Sequence, residues 1–307
     1  MHWRIKGVIQ YVLSTVPGGT AVNDCLQLTV GGVRDFEGNV DRKVTDDLLV
    51  LLSHLRELQV RPQEMVFLEV GTGWYPTSPL CLSLAGAKTI KTFDIDRHMK
   101  HGLTFRLLQR LERHLPAIAK AALLPVSEVE AAYDSLRQAR TLPELLERAR
   151  IEYFAPADAS RTGLPAQSVD IVFSNSVLEH VPPEAILRIM QEGRRVLRPD
   201  GFAIHSVNCG DHYAYIDSNI TPMNYFSFSE RAWRFWNNKL GYQNRLRPQD
   251  LKELLQQGGL EIVREKFKPR PELLAALPKI KISPEFQRYT PEQLCTTSVD
   301  LVARRFA

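Results

Sequence analysis

Val66-Phe67-Leu68-Glu69-Val70-Gly71-Thr72-Gly73-Trp74, followed after a helical interval by Thr89-Ile90-Lys91-Thr92-Phe93-Asp94-Ile95-Asp96, is the stretch that decides the fold. Each half is a short apolar run bounded by turn residues, which fits a strand buried in a parallel sheet. The glycines that close the first run let the backbone turn sharply and approach a ligand. An acid about twenty residues on, closing the next strand, can accept hydrogen bonds from ribose hydroxyls. The pairing reads as the nucleotide-binding half of a doubly wound sheet.

The rest of the chain is compatible with that core. Its 307 residues suffice for one elaborated domain or two, and 44% hydrophobic with 24% charged residues is ordinary for a soluble globular protein. The net charge of +4 is spread out, with no polybasic run, so nucleic acid is not an expected partner. Cys25, Cys81, Cys209 and Cys295 are far apart and make no metal spacing, as in a chain of the reducing cytoplasm. No apolar segment reaches the ~18–20 residues of a membrane span, and the start of the chain does not read as a signal peptide.

Before the first strand, Val8–Val16 reads as a weakly amphipathic helix, and Val44–Leu58 as a helix with Thr45 or Asp46 as its cap. Residues 1–60 are therefore expected to form a helical cap, and 61–307 the sheet domain. Residues 98–150 read as helices only, with breaks at Pro116, Pro125 and Pro143. This is far more chain than a doubly wound crossover needs. It is an insertion rooted at the carboxyl edge of the sheet and a candidate lid. Further strands are expected at 151–155, 169–174, 202–207, 260–267 and 297–304, with helices at 183–197 and 248–257. A second insertion, 208–247, is rich in aromatic and amide side chains.

In order, the chain offers Glu-x-Gly-x-Gly after the first strand, acid after the second, Asp158 after the third, a polar turn after the fourth and Arg-Pro-Asp-Gly before the fifth. This order resembles the class I S-adenosylmethionine (SAM) dependent methyltransferases, in particular the small-molecule group with a "methyltransferase domain 11" core, over about 64–206. The resemblance implies an α/β, Rossmann-like, doubly wound, seven-stranded and mostly parallel sheet whose last strand is antiparallel. It implies SAM as cofactor, with S-adenosylhomocysteine as product. Glu69, Gly71 and Gly73 would form the loop under the methionine part of SAM, and Asp94 would take both ribose hydroxyls. Asp158 with the Ala159 backbone would clamp the adenine, and Ser174 and Asn175 would lie beside the sulfonium. Trp74-Tyr75-Pro76 stands where a dinucleotide fold wants its third glycine. Trp74 or Tyr75 is expected against the amino-acid end of SAM.

Glu179-His180 follows the fourth strand. His180 is read either as structural, capping the next helix or hydrogen-bonding backbone, or as a general base for a substrate hydroxyl. A metal is not expected, because no further acid or histidine follows nearby in the sequence. Asp211, His212 and Tyr213, directly after the fifth strand, are the other catalytic candidates; the aromatics of 208–247 read equally as a mini-core. The expected activity is methyl transfer to a small-molecule acceptor. The chain also resembles the azetidine-2-carboxylate synthases, which would imply closure of SAM's aminobutyrate chain into a ring with release of methylthioadenosine. A SAM-fold binding protein without catalysis is the remaining alternative.

Overall fold

Seven strands carry the apolar runs: β1 (Val66–Val70), β2 (Thr89–Phe93), β3 (Ile151–Phe154), β4 (Val169–Asn175), β5 (Leu197–Asn208), β6 (Leu260–Phe267) and β7 (Ser298–Arg305). They form one sheet in the order β3-β2-β1-β4-β5-β7-β6. β1 through β5 pair in parallel, whereas β7 pairs antiparallel with both β5 and β6. This is the expected Rossmann-like sheet with its last strand reversed. The computed structural model describes residues 1–29 and 35–306. Residues 30–34 of the expected cap, and Ala307, lie outside the described residues.

β1 is buried throughout, and apolar apart from Glu69, because both faces of the sheet are covered. Phe67 faces a layer built from the helices Leu49–Glu57 and Thr77–Leu84. Leu68 and Val70 face the helices Pro183–Val196 and Pro248–Gln257.

The 98–150 insertion forms four helices, His101–Leu111, Leu115–Ala122, Val126–Arg137 and Leu142–Arg148. Pro116 and Pro143 sit in first turns and Pro125 at an N-cap, so these prolines open helices. A first-turn proline gives up no backbone donor that the helix would use. Ile118, Leu136 and Leu145 are buried in one cluster with Phe67 and Ile90. The expected lid is thus part of the main core layer. Its root does reach the strand ends: the Lys100 N–H donates to the Trp74 carbonyl at 3.0 Å.

The amino-terminal helix begins at Trp3, earlier than expected, and runs to Thr15; a second covers Gly19–Thr29. The expected cap at Thr45 or Asp46 is not one. A helix already runs from Phe36, capped by Asp35, through the π-helical turn Lys43–Leu48 into Leu49–Glu57. The Thr45 hydroxyl instead donates back to the Asp41 carbonyl at 3.0 Å. The leucine period was a sound guide, since Leu48, Leu51, Leu52 and Leu55 are all buried.

The aromatics of 208–247 form a separate core with Phe286 and Leu294 of the segment before β7. Trp3 completes it, packing on Tyr213, Phe228 and Trp236 at centroid distances of 5.2, 5.8 and 4.7 Å. Its N–H donates to Asp217 at 3.0 Å. Among the described residues, no helix is long and apolar enough to cross a membrane.

Trp3 is 2% exposed. Trp3→Ala is therefore expected to lower stability by about 3–5 kcal/mol, the range for a large-to-small change in a packed core. Denaturant unfolding checks this; a loss below ~1 kcal/mol would mean that the amino-terminal helix is not integrated with the insertion.

Candidate active site

The loop after β1 is shaped by two left-handed glycines. Gly71 has φ +85°, and a Cβ there would stand 2.4 Å from Val177, so only glycine fits. Gly73 has φ +72° and open space where its Cβ would be. The loop is pinned from β2: Asp94 accepts from the Gly73 N–H at 2.7 Å and from the Asp96 N–H at 3.3 Å. The Thr92 hydroxyl donates to Glu69 at 2.5 Å and also contacts the Thr72 hydroxyl.

Glu69 is buried, and desolvation pushes its carboxyl up to about 8. The Thr92 hydroxyl and Lys43 pull it down, while Asp94 and Asp47 add to the rise. Lys43 comes from the π-helical turn and lies 4.8 Å from the centroid of the Tyr75 ring. Desolvation pushes the Lys43 ammonium down, against the pull of Asp47 and Glu69. Asp47, one turn on, is raised to about 6, first by desolvation and then by Asp46 and Asp300. π-Helical turns recur at functional sites. Lys43 and Asp47 were not picked out from the sequence; their four-residue spacing on a helix was the available signal.

The other expected cofactor residues fall as follows. Trp74 is flanked by His98, 5.4 Å away ring to ring, and by the Lys100 ammonium at 5.4 Å. Asp158 is exposed and accepts from the Ser160 N–H at 2.8 Å, with Ala159 between them at the end of β3. Asn175 reaches Ser78, at the start of the helix after the glycine loop, at 3.4 Å. Ser174 is fully buried, and its hydroxyl pairs with His205 Nδ1 at 2.8 Å. Of the β4 pair, Asn175 is the one turned toward the loop.

A cavity of about 260 Å³ opens beyond β4 and β5, lined by Asp47, Ser176, Ser206, Asn208, Asp211 and Asp300 among others. Asp211 is 2% exposed and accepts from the Tyr213 N–H and the Asn224 amide. Burial raises its carboxyl to about 6. The Tyr213 hydroxyl is committed to the Trp236 carbonyl at 2.8 Å, and its ring belongs to the aromatic core. His180 and His212 lie beside a neighbouring cavity of about 190 Å³, with ring centroids 4.9 Å apart. The fold thus brings His212 to Glu179-His180, a partner that sequence spacing did not reveal.

Comparison with known proteins bears on the family. A family model described as a methyltransferase domain matches residues 36–265, three quarters of the chain. The chain belongs to the methyltransferase-domain family. With its sheet order, this puts it in the class I SAM-dependent methyltransferase superfamily. No curated protein sequence matches it. Solved structures of similar fold include magnesium protoporphyrin IX methyltransferase from Synechocystis PCC 6803 with bound SAH, at 13% identity, TM-score 0.48, covering 97% of this chain and 100% of that one. A SAM-dependent methyltransferase from Mesorhizobium loti is similar at 16% identity, TM-score 0.45, over 82% and 96%. One from Leishmania major is similar at 13% identity, TM-score 0.44, over 98% and 82%.

The methyltransferase-domain site carries a pH signature. Glu69 goes from an ordinary 4.5 to about 8 on folding, so its protonated form is favoured in the folded state. Its contribution to stability is complete below about pH 4.5 and is lost as pH rises toward about 8, at up to about 1.4 kcal/mol per pH unit. Glu69→Gln should therefore flatten the fall in stability of the ligand-free protein across that window. Unfolding curves at stepped pH measure it, and superimposable slopes for the two proteins would contradict the assignment.

Proposed function

We propose that this chain is a SAM-dependent enzyme that transfers a methyl group to a small-molecule acceptor held in the cavity beyond β4 and β5. The observation that carries the proposal is the tie between Asp94 and Gly73, which brings a ribose-type acid and an open glycine loop to one point. The residues fit the cofactor. Gly73 leaves room on the ligand side, and Asp94 accepts from only two backbone N–H groups, so lone pairs remain for two hydroxyls. Asp158 and Ala159 would border the adenine, and Lys43 would face the carboxylate of the amino-acid end. When bound, SAM supplies an electrophilic methyl carbon on a positively charged sulfur.

The chain's own contribution is alignment, which can be worth ~7–11 kcal/mol for two well-oriented partners. Where the acceptor carries a proton, Asp211 is the proposed base. It lines the acceptor cavity, and its raised carboxyl suits proton transfer near neutral pH. Tyr213 acts as a positioning residue in this reading, since its N–H holds Asp211.

One observation favours a second reading, ring closure to azetidine-2-carboxylate with release of methylthioadenosine. Glu69 and Asp47, both with raised carboxyls, gather beside Lys43 at the amino-acid end of the cleft. Of the two, Asp47, raised to about 6 and so ionised at neutral pH, would accept a proton from an ammonium, leaving a free amine. Incubation with SAM alone, followed by mass spectrometry, separates the readings. Methylthioadenosine with a cyclic amino acid means ring closure. S-adenosylhomocysteine formed only when an amine or hydroxyl acceptor is added means methyl transfer. Binding without either product means a non-catalytic protein.

Asp94→Ala should weaken SAM binding at least ~100-fold, because two charge-assisted hydrogen bonds of about 1.5–3 kcal/mol each are lost. Calorimetric titration reads this directly; unchanged affinity in the folded variant would overturn the placement of the ribose.

A further inference from the structure

Glu179, His180 and His212 offer one ligand-type atom each, and these atoms lie within 4.8 Å of one another. We propose that these three side chains form a binding site for a divalent first-row transition-metal ion, which would tie the turn after β4 to the insertion after β5. The proposal goes beyond methyl transfer and does not depend on it.

Each side chain is prepared for such an ion in a different way. His180 Nδ1 lies 2.8 Å from the Tyr242 carbonyl, which can only accept, so the ring proton sits on Nδ1. That leaves the Nε2 lone pair free, the usual arrangement behind a metal-binding imidazole. His212 Nε2 is buried and has no hydrogen-bond partner. Burial and the neighbouring His180 and Lys6 hold the ring neutral, the form that binds metal.

Glu179 is 1% exposed, and neither carboxylate oxygen has a hydrogen-bond partner. An unpaired buried carboxylate costs several kcal/mol if charged. Desolvation pushes the carboxyl up to about 8. A cation beside it would offset the cost and leave it ionised. Two imidazoles and one carboxylate suit Zn²⁺ or a similar ion, whereas Mg²⁺ and Ca²⁺ favour all-oxygen sites.

Ligands about 2.1 Å from one ion lie roughly 3–3.5 Å from each other, so the side chains would close by up to about 1–2 Å on binding. His180 is exposed and His212 stands on a short 3₁₀ turn, so neither is held by the sheet. Lys6 is the one cation lining the adjacent cavity. Burial pushes its ammonium down from the usual lysine range.

The test uses the full chain, stripped with a chelator and titrated with Zn²⁺ in the absence of SAM. One equivalent should bind and raise the melting temperature. His212→Ala and Glu179→Gln should each weaken binding at least ~10-fold. His98→Ala, which removes an unrelated histidine paired with Asp96, should leave it unchanged. Should Glu179→Gln fail to fold, His180→Ala at its exposed position replaces it. No stoichiometric Zn²⁺ binding, or binding undiminished in both His180→Ala and His212→Ala, would overturn the site. Preference for Mg²⁺ over Zn²⁺ would overturn the class of ion.

Discussion

A buried carboxyl at the end of β1 constrains much of what surrounds it. Glu69 stands at the carboxyl end of the central strand, covered on both sides, where a bare charge is costly. The structure surrounds it with a hydroxyl donor from β2 and an ammonium from the amino-terminal region. The hydroxyl of Thr92 links β2 to the glycine loop through Thr72. The ammonium of Lys43 requires the helix from Phe36 to Glu57 to pass over the strand ends. The helical cap and the sheet are therefore joined by electrostatics as well as by apolar packing. The π-helical turn lets one helix both bury Leu48, Leu51 and Leu52 and present Lys43 and Asp47 to the cleft.

The insertion side of the cavity beyond β4 and β5 is stabilised differently. The insertion after β5 has little regular structure of its own, only short 3₁₀ turns and the helix Glu230–Trp236. It holds its shape through an aromatic core that needs contributions from both ends of the chain. Trp3 comes from the first helix, Phe286 and Leu294 from the segment before β7. Asp217 receives the Trp3 N–H, and the terminal ammonium of Met1 reaches the Ile216 carbonyl at 3.1 Å. Asp211, which lines the cavity beyond β4 and β5, is thus positioned by residues more than 200 positions apart in the sequence.

How far the sequence could be read follows from the range of each interaction. The strands were legible because burial on both faces makes each a short continuous apolar run. The glycine loop and Asp94 were legible because chain order alone places them together. Pro116, Pro125 and Pro143 were visible as punctuation, but whether a proline opens or breaks a helix depends on its neighbours. The helices of 98–150 were legible, but their docking into the main core was not, since a buried amphipathic helix and a lid share one pattern. Lys43 was missed, and His212 was read without its partner, for a common reason. Each acquires its meaning from a partner across a long stretch of chain, Glu69 for the one and Glu179 for the other, and no local periodicity encodes that contact.

Charge shows the same separation of local from global. The chain as a whole is positive, +4, yet the cavity beyond β4 and β5 is bordered by Asp46, Asp47, Asp211 and Asp300, with Arg270 as the opposing charge. Net composition governs solubility and long-range steering, whereas recognition is set by the few charges within a Debye length of ~10 Å. An anionic acceptor entering this cavity would lose hydration and meet carboxylates on several sides. An amine or a neutral hydroxyl compound would keep its hydrogen bonds to Ser176, Ser206 and Asn208. The raised carboxyls of Asp47 and Asp211 lie on that same wall, so groups that would hold an ammonium are also groups able to take its proton. Binding and proton removal then fall to one set of side chains. That economy suits a small acceptor with a nitrogen or oxygen nucleophile better than a large anionic one.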